Sequence, residues 1–178
     1  MIDLPHDWFP RALPRNVEVG ARSWLYSSWA FVHCQSLRPV AVRIGADCGV
    51  YQGTMFDLGP DGEVVIGDFS CLVGAIIATN GRVAIGHHVL IAHDVVIADH
   101  DVAVPAPRSR PGPPPTIEIG ANAWIGARAV LLGGARIGAD AIVGAGAVVD
   151  FEVPPGAVAA GNPARVVRLQ RWPQRIAD

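Results

Sequence analysis

Six histidines and no lysine set the chemistry that this chain can offer. All fourteen basic residues are arginine, which excludes a Schiff base, a phosphate-binding Walker lysine and a lysine general base. An imidazole changes charge near neutral pH and can take a proton from a hydroxyl or an amine. Four of the six lie close together in the chain, at His87, His88, His93 and His100. His100 stands in the run Ile97-Ala98-Asp99-His100-Asp101, flanked by carboxylates. On these residues alone it reads as a loop histidine. Asp99, Asp101 and Asp94 are equal candidates to fix its tautomer. No Gly-x-Ser-x-Gly nucleophile elbow is present. Cys34, Cys48 and Cys71 are odd in number and never form Cys-x-x-Cys, which predicts reduced, buried thiols.

A scaffold must hold these groups, and its signature is a repeat. From residue 119, aliphatics recur every six positions: Ile119, Ile125, Leu131, Ile137, Val143 and Val149. Gly follows four of them, at Gly120, Gly126, Gly138 and Gly144. Two residues before the later members stands an alanine: Ala123, Ala129, Ala135, Ala141 and Ala147. In extended chain, positions two apart face the same side, so the large aliphatic and the small alanine both point inward. The same spacing runs back in triplets: Ile85, Ile91, Ile97; Ile66, Leu72, Ala78; Ile44, Val50, Phe56; and Val19, Leu25, Phe31. A period of six matches neither a 3.6-residue helix nor hairpin alternation.

Three short strands per turn predict a triangular prism, a parallel β-helix of about six coils. Composition agrees. The 178 residues suit one domain, 51% are hydrophobic and 17% charged, which argues against disorder. Gly and Pro together number 35, more turn punctuation than a helical bundle carries. A formal net charge of −2 leaves no nucleic-acid footprint. No apolar run reaches the ~18 residues of a spanning helix, and no signal peptide is apparent. The expected division is a cap over 1–16, a β-helix over 17–153 with an excursion loop over 98–116, and a tail over 154–178. All insertions between triplets leave from one corner, and the largest separates Ile97 from Ile119. Solenoids often place a functional face there.

The hexad pattern, together with Pro154-Pro155-Gly156 and Ala160-Gly161-Asn162-Pro163-Ala164-Arg165-Val166, resembles the hexapeptide-repeat acyltransferases. The likeness is strongest to the xenobiotic, galactoside and polysaccharide O-acetyltransferase branch. It implies an all-β, left-handed parallel β-helix and a homotrimer with acetyl-CoA bound between subunits. It also implies transfer of an acetyl or other short acyl group from acyl-CoA to a hydroxyl, less readily an amine, of a sugar or small natural product. By the same likeness His100, just before the excursion, is the general base of a direct transfer that needs no metal.

Further roles follow from the resemblance. Ala127, Ala145, Arg165 and Arg168 line a CoA groove, the alanines through backbone atoms. Relatives often carry Thr-Lys where this chain has Asp150-Phe151, which leaves Phe151 open between stacking on adenine and simple packing. On the acceptor side stand Asp99, Asp101, His93, Arg108 and Trp124. Arg108 and Arg110 are open between an anionic ligand and solvated loop positions, and Trp124 is expected against the excursion loop. The proline-rich segment from Val102 to Thr116 excludes helix and favours stiff extended chain.

Two other classes compete. His88 and His93, spaced H-x4-H, resemble part of the zinc site of γ-class carbonic anhydrases, but a third histidine is missing two coils upstream, where Gln52 stands. A non-catalytic β-helix for binding or assembly is the other. The aromatics Trp8, Phe9, Trp24, Tyr26 and Trp29 read chiefly as a cap on the open first coil, with acceptor binding as the sharper alternative. The tail after Arg165 reads as a short helix ending near Trp172-Pro173. A cytoplasmic location completes the expectation.

Overall fold

A computed structural model of the chain describes residues 4–9, 11–99 and 116–169. Its strands are two to six residues long and stack into three sheets, the faces of a prism. The first face carries Val17–Val19, Val42–Ile44, Glu63–Ile66, Arg82–Ile85, Ile117–Ile119, Arg136–Ile137 and Glu152–Val153. Trp24–Leu25, Gly49–Val50, Cys71–Leu72, Leu90–Ile91, Trp124–Ile125, Ile142–Val143 and Ala157–Gly161 form the second. On the third lie Met55–Leu58, Ile76–Thr79, Val96–Ala98, Val130–Leu132 and Val148–Val149.

All these strands pair in parallel, so the expected aliphatics form vertical columns. On the first face Val19, Ile44, Ile66, Ile85, Ile119 and Ile137 stand in register. Leu25, Val50, Leu72, Ile91, Ile125 and Val143 do so on the second. Their side chains fill the core together with the small residues two positions earlier, Ala123, Ala129, Ala135, Ala141 and Ala147, each at most 1% exposed. Burying one such aliphatic contributes about 1.5–3 kcal/mol, so the columns are the main stabilising term.

Two column members differ from the sequence reading. On the third face it is Ile77, not Ala78, that stands between Phe56 and Ile97. The step from Leu72 is five residues there, and Ala78 pairs with Asp57 and Ala98 instead. In the first coil the third-face position is a 3-10 turn, Ser28–Phe31, capped by the Ser27 hydroxyl. Phe31 still reaches the core and stacks on Phe56 at 4.9 Å between ring centroids.

The glycines that follow first-face aliphatics serve close stacking. A Cβ on Gly120 would lie 2.5 Å from the backbone nitrogen of Ala139 in the next coil. The left-handed corner conformation falls two residues later, on Arg22, Asp47, Phe69, His88, Asn122 and Asp140, with φ between 55° and 60°. Non-glycine residues rarely adopt it. Here successive coils pair their corner side chains. Arg22 bonds Asp47, Phe69 stacks on His88, and Asn122 donates to Asp140.

At the C-terminal end, the strand Ala157–Gly161 continues the second face by pairing with Ile142–Val143, so the solenoid runs past residue 153. The chain then folds back as Ala164–Leu169, antiparallel to that strand. The expected tail helix is therefore a strand as far as Leu169, because its backbone satisfies the otherwise open sheet edge. The remainder, to Trp172-Pro173, lies outside the described residues. No helix among the described residues is long and apolar enough to cross a membrane.

Candidate active site

Every connection from the third face to the first leaves from one edge of the prism, and the longest departs at Asp99. The flanking strands are fixed in register, Val96–Ala98 between Ile76–Thr79 and Val130–Leu132, and Ile117–Ile119 between Arg82–Ile85 and Arg136–Ile137. Asp99 itself is 1% exposed. Its Oδ2 accepts from Thr79 Oγ1 at 2.5 Å, from Asn80 N at 2.8 Å and from Gly81 N at 2.9 Å. A buried carboxylate that accepts several bonds is strongly held. Asp99 thus fastens the root of the excursion to the turn one coil earlier. His100, Asp101, Arg108 and Arg110 follow it and lie outside the described residues.

A second set gathers on a different edge, between the second and third faces. The register Leu72, Ile91, Ile125, Val143 places His93, Ala127 and Ala145 in one column two residues further on. The backbone confirms it: Arg128 N donates to His93 O and Gly146 N to Ala127 O, each at 2.9 Å. His93 is exposed, and beside it Asp94 pairs with Arg128 at 3.7 Å. Trp124 lies on the adjoining second face, half exposed, directly beside Leu90 of the preceding coil and Ile142 of the next.

Arg165 is exposed at the C-terminal end, with Nη1 donating to Ala164 O at 2.7 Å. Arg168 lies in the same strand, its backbone opposite Val158. Phe151 is half-buried and packs against the core.

The remaining histidines do not converge. His87 Nδ1 accepts from Asp68 N at 3.0 Å, and His88 stacks on Phe69 at 4.8 Å. His88 and His93 sit at opposite ends of one short strand, on two different edges. Among the described residues no three His, Cys, Asp or Glu gather to hold an ion. The cysteines are free thiols, and burial pushes all three up from their ordinary value. None is a thiolate nucleophile at neutral pH.

The N-terminal aromatics are only partly a cap. Leu4 and Leu13 pack on the first coil, and Trp24 stacks with His6 at 4.2 Å. Trp8, Tyr26 and Trp29 instead line a cavity of about 670 Å³, joined by Ala30, Val50, Tyr51, Gln52, Gly53 and Thr54. Tyr51 and Gln52 were invisible as site residues in the sequence, because they are outward positions of an otherwise regular hexad.

A stacked six-residue solenoid with one long excursion beside a buried acid defines a hexapeptide-repeat protein, and comparison with known proteins agrees. Residues 116–150 match the family described as bacterial transferase hexapeptide (six repeats). The galactoside O-acetyltransferase of Escherichia coli K12 is 32% identical over 135 residues, covering 74% of this chain and 66% of the relative. Among solved structures, a hexapeptide-repeat acetyltransferase of Vibrio cholerae complexed with acetyl coenzyme A is 27% identical, with a TM-score of 0.58 over 70% of this chain and 69% of that one. A maltose O-acetyltransferase from Clostridium difficile is 26% identical, with a TM-score of 0.57 over 70% and 67%. The chain thus carries the hexapeptide repeat and is similar over about three quarters of its length to an acetyltransferase, 74% in the E. coli comparison. It spans just under two thirds of the length of the E. coli relative.

Proposed function

We propose that this chain is an acyltransferase that moves an acetyl or other short acyl group from acyl-CoA to a hydroxyl of a sugar or small natural product, with His100 as general base. The observation that carries the reading is the anchored root of the excursion. Asp99 is locked by three hydrogen bonds immediately before a histidine, in a solenoid whose relatives include acetyltransferases. Acyl-CoA supplies an already activated thioester, so the protein's main chemical task is to take the proton from the attacking hydroxyl. An imidazole suits that task at neutral pH. No side-chain nucleophile is needed, in keeping with thiols held in their protonated form.

The residues of the second edge fit the co-substrate. Ala127 and Ala145 carry small side chains, which leaves their backbone approachable along the column. Arg165 and Arg168 supply cations for phosphate in a chain without lysine. Asp101, Arg108, Trp124 and His93 flank the acceptor side in this reading, with Asp99 as the positioning residue behind the base.

The two edges belong to different corners of one prism. Asp99, the residue before His100, lies where the third face meets the first, and the Ala127–Ala145 column lies where the second meets the third. In this reading the two edges stay apart in one copy, and a second copy set edge to edge would unite them. This supports a homotrimer with sites shared between neighbours. Release of CoA thiol from acetyl-CoA, measured with an acceptor present, tests the reading. His100→Ala lowers the rate by roughly 10²–10⁴, while circular dichroism stays that of the parent. Unchanged turnover in the variant contradicts the assignment of the base.

A further inference from the structure

We infer that the cavity at the N-terminal end of the solenoid is the acceptor pocket, and that it takes an uncharged molecule carrying a flat apolar ring. The inference rests on the acyltransferase reading for its function, but not for its binding chemistry.

Position comes first. The cavity opens on the same edge as the column of small residues. Because Val50 pairs with Leu72, and Leu72 with Ile91, Gln52 heads the column that continues through Gly74, His93, Ala127 and Ala145. A Cβ on Gly74 would lie 3.5 Å from Gln52 O, in agreement with that stacking. The edge therefore has a proposed co-substrate groove in its C-terminal half and a roomy cavity at its N-terminal end. Its volume of about 670 Å³ falls within the ~300–1,000 Å³ of small-molecule sites.

Chemistry narrows the ligand. Among the described residues that line the cavity, four carry aromatic rings, Trp8, Tyr26, Trp29 and Tyr51, and none is charged. Trp8 is 63% exposed, and Tyr51 and Tyr26 also present substantial surface. A charged ligand would meet no compensating charge among these described residues. The small hydroxyls are already committed as donors, Ser27 Oγ to Asp7 and Thr54 Oγ1 to Leu72 O. That leaves the Gln52 amide and the tyrosine hydroxyls as the main polar contacts, too few for a densely hydroxylated ring on its own. Aromatic walls favour stacking with a planar apolar group at 4.5–7 Å. The acceptor thus carries such a ring next to the hydroxyl that is acylated.

The test uses the full chain and isothermal titration with phenyl β-D-glucopyranoside, methyl β-D-glucopyranoside and phenyl phosphate. The phenyl glucoside binds roughly tenfold more tightly than the methyl glucoside, as expected for one to two ring contacts, and phenyl phosphate binds more weakly than the phenyl glucoside. Trp8→Ala and Tyr51→Ala each remove roughly 3- to 10-fold of that affinity without lowering the melting temperature, since both side chains are exposed. Phe69→Ala, an equally exposed aromatic on another edge, changes nothing. Equal binding of the two glucosides, or full affinity retained in both folded variants, overturns the inference. If the phenyl preference and its loss are seen but acetyl-CoA does not bind, the pocket stands and the acyltransferase reading falls.

Discussion

Asp99 is the residue on which the candidate site leans most. Replacing it by alanine leaves Thr79 Oγ1 and the N–H of Asn80 without this acceptor, while Gly81 N keeps only its bond to Thr79 Oγ1, and buried donors stripped of a partner are costly. Asp99→Ala is expected to lower stability by about 3 kcal/mol, read as a shifted urea midpoint, and to lower transfer activity further because the root of the excursion loosens. Asp99→Asn keeps one acceptor oxygen and loses less of both. The sequence made this carboxylate visible only as one of three neighbours of His100. Its actual partners lie one coil away, in a register that folding alone supplies. Gly120 is the complementary case. Its Cβ would meet rigid backbone at Ala139, so Gly120→Ala destabilises by about 1–3 kcal/mol. The glycine was legible from its place after Ile119, but the reason, contact between coils, was not.

The elements follow the same division. The alanine and isoleucine columns were readable because burial imposes a fixed period on the sequence. Ile77 and Ala78 were not separable, since both are apolar and the coil shortens by one residue there. The left-handed corner carried by Arg22, Phe69 and His88 has no sequence signal, because those residue types do not favour it. The N-terminal segment is held by Asp7, which accepts from Ser27 Oγ at 2.7 Å, Ser28 N at 2.7 Å and Phe9 N at 3.0 Å. Burial alone would push this carboxyl up, but the bonds from Ser27, Ser28 and Phe9 together outweigh it and hold the group well below its ordinary 3.8. A carboxylate with a depressed value in the folded state contributes stability fully above its unfolded value and loses it as pH falls. The segment is therefore expected to loosen below about pH 4. Monitored by tryptophan fluorescence, Asp7→Asn flattens this acid limb and weakens the segment at neutral pH by roughly 1–2 kcal/mol. Because Trp8 adjoins Asp7, ligand affinity at the aromatic cavity falls with it.

At the scale of the molecule, the prism sets Asp99 and the alanine column on two different edges. Assembly is the simplest way to unite them, and light scattering is expected to give about three times the 18.7 kDa chain mass. The likeness to hexapeptide-repeat acyltransferases was legible from the hexads and the Gly-Asn-Pro-Ala tail, and acceptor binding by Trp8, Tyr26 and Trp29 stood as the alternative to a cap, whereas the cavity itself was not legible, because it forms only when Trp8 and Trp29 meet Tyr51 from the next coil. The central claim is acyl transfer with His100 as base. Its most direct test is acceptor-dependent release of CoA thiol from acetyl-CoA, compared between the parent and His100→Ala. Release is expected to rise with acceptor and to fall by at least roughly a hundredfold in the variant. Release that is absent with every hydroxyl acceptor tried, or that is unchanged in the folded variant, contradicts it.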